Sequence, residues 1–110
     1  MRRTLAFLAM LTLLVPAAAL GVGAQGAAVK IGVPVPLSGG NAKMGDDIAK
    51  AATLAAEEWN AKGGVLGRKI EIVSFDDACD AQQSVTAAHK LLDAGVAAVA
   101  GGYCSSAAIP

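Results

Sequence analysis

The chain has 110 residues, 55% of them apolar, 4% aromatic and 16% charged, with a formal net charge of zero. That length allows one domain at most, the apolar content excludes a disordered chain, and the absent basic excess argues against a nucleic-acid partner. Much of the apolar content sits in the first 24 residues.

Arg2 and Arg3 precede an apolar run from Leu5 to Val15; Pro16 breaks it, and small residues lead to Val22-Gly23-Ala24. This is the layout of a cleaved export signal, with cleavage expected after Ala24. Thr4 to Ala24 is barely long enough to span a bilayer, but Pro16, Gly21 and Gly23 make a poor anchor helix. No cysteine lies near the cleavage site, so no lipid attachment is expected. The remaining stretch, 25–110, holds seven basic and nine acidic residues, a net charge of −2. That balance argues against an anionic polymer or membrane surface as partner. In an oxidising compartment Cys79 and Cys104 default to a disulfide.

Val29 to Val35 reads as a first strand, although Pro34 cannot donate to a ladder and regular pairing should fade near it. Beyond Pro36 the chain opens into the loop Leu37-Ser38-Gly39-Gly40-Asn41. Ile48, Ala51, Ala52, Ala55 and Trp59 recur at helical spacing, which predicts a helix with Trp59 in the core. Asp46 and Asp47 are expected near the positive end of its dipole, and Gly63-Gly64 should stop it. A second strand is predicted over Lys69 to Phe75. Asp80, with Gln83 three residues on, looks like a capping box for a second helix, its apolar stripe being Ala81, Val85, Ala88 and Leu92. Gly95 ends that helix, Val96 to Ala100 reads as a strand covered on both faces, and another helix begins near Ser105.

Strands alternating with helices predict an α/β fold, a Rossmann-like parallel sheet flanked by helices. With strand order 2-1-3, ligands bind beyond the carboxyl ends of strands 1 and 3. That places the candidate site on Ser38 to Met44 and Tyr103 to Ser106. Gly39-Gly40 and Gly101-Gly102 match neither the dinucleotide fingerprint nor a P-loop, so no nucleotide and no other cofactor is expected. At a helix start, the hydroxyls and free N–H groups of Ser105 and Ser106 can receive a carboxylate or simply cap the helix.

Cys104 with His89 makes a poor nucleophile–base pair, because His89 lies mid-helix and no third group is evident. Asp76, Asp77, Cys79 and Asp80 lack the regular oxygen ligands and closing Glu of a calcium loop; caps and loop hydrogen bonds explain them better, and no metal is expected. A Cys79–Cys104 bridge would join the ends of strands 2 and 3, about 10 Å apart across strand 1. A disulfide tolerates about 7 Å between Cα atoms, so the loops must lean over the end of strand 1.

Several blocks together resemble the periplasmic leucine/isoleucine/valine-binding proteins, the type I solute-binding components of branched-chain amino acid ABC transporters. They are Lys30-Ile31-Gly32-Val33, Pro36-Leu37-Ser38-Gly39, Asn60-Ala61-Lys62-Gly63-Gly64-Val65-Leu66-Gly67-Arg68-Lys69, Asp76-Asp77-Ala78-Cys79-Asp80 and Gly102-Tyr103-Cys104-Ser105-Ser106. The resemblance runs from about Val29 to Pro110. It implies two α/β lobes that close on a ligand, a monomer, a Cys79–Cys104 disulfide, and no catalysis. Ser105 would hold the ligand carboxylate through its hydroxyl and N–H, with Tyr103 and Cys104 bordering the pocket. Ser106 is taken as a further ligand residue. Met44 stands where the family often has an aromatic that covers the ligand side chain, and a thioether there accepts varied apolar groups.

Such proteins are several times longer, so 25–110 reads as part of an N-terminal lobe, expected to bind nothing useful alone. The function implied is capture of a branched-chain or related amino acid in the periplasm for delivery to a membrane permease. The alternatives are a ligand-sensing domain, a binder of amides, urea or aromatic acids, or an inactive truncated product.

Overall fold

The computed structural model describes residues 26–109; the export signal expected over residues 1–24 lies outside them. Strands β1 (Val29–Val35), β2 (Ile70–Asp76) and β3 (Ala98–Val99) alternate with helices α1 (Ala42–Ala61), α2 (Ala81–Asp93) and α3 (Ser105–Ala108). The sheet is parallel, in the order β2-β1-β3. The α/β class and the helix start at Ser105 are as the sequence predicts, and the strand order is the common one on which the candidate site is placed.

β1 and β2 pair over seven positions, from Val29 opposite Ile70 to Val35 opposite Asp76. The ladder therefore runs past Pro34 on this side, contrary to expectation. On the other side it stops at Gly32 opposite Val99. The reason is the alternation of strand hydrogen bonding. Val35 O accepts from Asp77 N, whereas Lys30 O and Gly32 O accept from Ala97 N and Ala100 N. The missing N–H of Pro34 thus falls on the β3 side, where nothing is lost from the longer ladder.

β3 is shorter than the five residues predicted, and both its residues are exposed, Val99 by 59%. No described helix packs on it, so among the described residues it is not covered on both faces.

Side chains alternate across β1. A Cβ at Gly32 would point into Leu91 of α2, so Lys30, Gly32 and Pro34 face α2, and Ile31, Val33 and Val35 face the side that α1 covers. Val33, Val35, Ala56, Ala87, Leu91 and Ala107 form the buried core.

Both helices are rotated from the predicted stripes. In α1 the residues turned inward include Gly45, Ala52, Ala56 and Asn60. A Cβ at Gly45 would stand 1.8 Å from Pro36 O, so the smallest residue must face the end of β1. At the far end Asn60 accepts from Ile70 N at 2.7 Å and donates to Ile70 O at 2.9 Å. Those two contacts set the rotation. They turn Ala51, Ala55 and Trp59 outward, Trp59 with 57% of its surface exposed, so it is not a core residue.

In α2 the sheet-facing row is Ser84, Ala87, Leu91 and Ala94, because Leu91 fills the space left by Gly32. Ala81, Val85, Ala88 and Leu92 are exposed instead.

Three helix ends follow the predicted chemistry; one is Gly95, which takes positive φ and donates to Leu92 O just past α2. Gly63 and Gly64 take positive φ and donate to Asn60 O and Trp59 O, ending α1. Asp80 caps α2 by accepting from Gln83 N at 2.9 Å. Asp46 and Asp47, however, lie beyond the first turn of α1 and pair with Lys50 and Lys43 on the exposed surface. The chain tightens into a 3-10 turn at Gly39–Asn41 and starts α1 already at Ala42, ahead of both aspartates.

The Gly45 contact can be tested against helix propensity, which favours Ala over Gly by about 1 kcal/mol. Gly45→Ala is expected to destabilise the protein by about 1–3 kcal/mol in urea unfolding, because the clash is with backbone. A stabilised variant would show that the close approach to Pro36 does not hold.

Candidate functional site

Three loops meet beyond the carboxyl ends of the strands: Pro36 to Asn41 after β1, Asp77 to Asp80 after β2, and Ala100 to Cys104 after β3. Each is built from local chemistry. After β2, Ala78 and Cys79 adopt left-handed backbone, φ 47° and 56°. Left-handed backbone is costly for residues with a Cβ, by about 1 kcal/mol or more each. Two preceding carboxylates hold the turn: Asp76 Oδ1 accepts from Ala78 N at 2.8 Å, and Asp77 Oδ1 accepts from Cys79 N at 2.9 Å. Asp77 is almost wholly buried. These aspartates are loop and cap residues, as the sequence reading has it.

The turn aims Cys79 at Cys104, and the two form a disulfide with Cα atoms 5.3 Å apart. The loops do lean across the end of β1. Asn41, the last residue before α1, sends its side-chain Nδ2 to Cys79 Sγ at 3.3 Å and Cys104 Sγ at 3.9 Å. Ser106 Oγ donates to Cys79 O at 2.8 Å. All three loops are thus cross-connected at one point.

The candidate residues adjoin these ties in sequence: Met44 follows Asn41 by three positions, and Tyr103, Ser105 and Ser106 flank Cys104. Met44 and Tyr103 are each 46% exposed. Ser105, the first residue of α3, is exposed and follows directly on the half-buried Cys104. The hydroxyl of Ser106 is already engaged with the β2 loop. His89 is exposed on α2, and Cys104 is held as a disulfide, so no thiol–imidazole pair exists.

Two residues of this network were not legible as such. Asn41 lay inside the predicted site segment, yet no spacing rule predicts an amide resting on a disulfide. Asp76 reaches back across the sheet: its Oδ1 also accepts from Leu37 N at 2.8 Å. The Ser38 hydroxyl holds the Asp76 carboxyl below its ordinary value of 3.8; partial burial opposes, and the N–H groups of Leu37, Ala78 and Ser38 reinforce the lowering.

The periplasmic binding protein family model matches residues 28–110. An amino acid binding protein of Pseudomonas aeruginosa is 47% identical over 83 residues, and the Leu/Ile/Val-binding protein of Escherichia coli K12 is 42% identical over 82. Each match covers 74% of this chain but 22% of the relative, so the chain spans about a fifth of their length. Among solved structures, a branched-chain amino acid transporter substrate-binding protein from Streptococcus pneumoniae, in complex with isoleucine, superposes with a TM-score of 0.68 at 34% identity. It covers 74% of this chain and 24% of that one. A solute-binding protein from Rhodopseudomonas palustris, in complex with 3,4-dihydroxybenzoic acid, gives 0.64 at 32% identity, covering 74% and 22%.

Two measurements test the loop cluster. Replacing both cysteines by serine should lower stability by about 3 kcal/mol, the chain-entropy value for a bridge separated by 25 residues, read from urea unfolding without reductant. For Asp76 the folded pKa is lowered, so its stabilising effect is present above the unfolded value and is lost as pH falls through the folded one. The stability gap between wild type and Asp76→Asn should therefore be full at neutral pH and shrink below the ordinary carboxylate range. A gap constant from neutral pH down to pH 2 would contradict this.

Proposed function

The chain belongs to the periplasmic binding protein family, and on that footing we propose that it supplies the first-lobe share of a site that captures a branched-chain amino acid for a membrane permease. Residues 1–24 act as the export signal, and residues 25–110 form part of the N-terminal lobe, working in the periplasm. The role is binding and release, with no covalent change to the ligand.

The observation that carries this reading is the placement of Ser105. It is exposed at the first position of α3, in the segment that follows β3, and is anchored by its covalently tied neighbour Cys104. A hydroxyl and a free N–H at such a position suit a carboxylate. Isoleucine and 3,4-dihydroxybenzoic acid, the molecules bound by two of the structural neighbours, have a carboxylate in common. Tyr103 and Met44 then border the ligand's apolar part, and the flexible Met44 thioether accepts more than one side-chain shape. Closure by a second lobe removes the ligand from water and completes the affinity.

The Rhodopseudomonas neighbour supports a second reading, an aromatic acid as ligand. Calorimetry of the intact binding protein with isoleucine and with 3,4-dihydroxybenzoic acid separates the two, and isoleucine is expected to bind more tightly. Ser105→Ala should weaken that binding by about 1–3 kcal/mol, the scale of a lost hydrogen bond to a charged group. Unchanged affinity would remove Ser105 from the site.

A further inference from the structure

The aspartate that ends β2 does more than close its own turn. Asp76 stands opposite Val35, the last paired residue of β1, and its carboxylate reaches past the end of that strand to Leu37 N at 2.8 Å. The same oxygen accepts from Ala78 N, also at 2.8 Å. Neither N–H belongs to a strand ladder, so one carboxylate satisfies two donors left over at the ends of neighbouring strands.

From each donor a short chain of contacts leads to a candidate ligand residue. On one side, Leu37 follows Pro36, which is fully buried and whose carbonyl lies against Gly45. Gly45 is the neighbour of Met44, so the Leu37 turn fixes where the first turns of α1 stand. On the other side, Ala78 precedes Cys79, which is bonded to Cys104, the residue before Ser105. Asp76 is the branch point between the two.

We propose that Asp76 is the positioning residue of the ligand site, holding the Met44 segment and the Ser105 segment at one fixed spacing without touching the ligand itself. This rests on the amino-acid-binding reading above. An ionised carboxylate suits the task because it only accepts, and can take several N–H and O–H donors at once.

The test uses the intact binding protein, with isoleucine as the probe, under conditions where every variant is folded. Asp76→Ala removes the acceptor; Asp76→Asn keeps one acceptor oxygen of similar reach. The Ala variant is expected to raise the Kd for isoleucine about tenfold, and the Asn variant to recover most of that loss. In parallel, hydrogen exchange at the Leu37 amide should accelerate at least tenfold in the Ala variant, while Ile72 in β2 keeps its protection.

An unchanged Kd in Asp76→Ala, or an unchanged Leu37 exchange rate, overturns the proposal. So does an Asn variant as weak as the Ala variant. If Asp76→Ala does not fold, Asp76→Ser, whose hydroxyl is one bond too short to reach Leu37 N, takes its place under the same criteria, and a wild-type Kd or wild-type Leu37 exchange in it overturns the proposal. A wild-type protein that ignores isoleucine overturns the ligand reading instead, and Leu37 exchange then decides the tether by itself.

Discussion

A single covalent link, Cys79 to Cys104, lies across the end of the central strand, and the geometry beyond the sheet depends on it. β3 contributes two paired positions to the sheet, too few to orient the loop that follows it. The bridge supplies the missing constraint from β2, the strand two places away, which is anchored by seven pairs. Around it, Asn41 and Ser106 add weaker ties from the turn before α1 and from α3. Three segments that are far apart in sequence thereby share one rigid point.

The bridge closes only because the β2 loop turns sharply, and that turn shows how charge and backbone strain offset each other. Ala78 and Cys79 sit in conformations that disfavour a Cβ, and Asp76 and Asp77 meet their N–H groups. The run Asp76-Asp77-Ala78-Cys79 is thus one structural device. Two acids set a turn, and the turn presents a sulfur. Its acids look like metal ligands in a linear reading because hydrogen-bond acceptors and metal ligands are the same atoms. What separates the two roles is which donors stand within 3 Å.

Much of this architecture can be read from the residues alone. The α/β class, the stop at Gly63-Gly64 and the Asp80 cap follow from local patterns whose chemistry is self-contained. Helix rotation did not. Both helices carry apolar residues on adjacent rows, and periodicity cannot choose between rows one position apart. The choice was made by contacts distant in sequence: Gly45 against Pro36, Asn60 against Ile70, and Leu91 in the space at Gly32. For the same reason Trp59 reads as core and lies outside. The candidate site was legible as two segments, while its supporting residues, Asn41 and Asp76, act across the sheet, where spacing carries no signal.

Asn60 has a consequence for how the chain tolerates change. Its side-chain amide donates to and accepts from the backbone of Ile70, as a neighbouring strand residue would, so the end of α1 is fastened directly to the start of β2. The hairpin between them, closed by Val65 and Arg68, hangs outside that fastening. At its tip Leu66 is 96% exposed. Added residues or a fluorescent label at that tip would leave helix and strand in register, making it the natural insertion point for a reporter far from the loops joined by the disulfide.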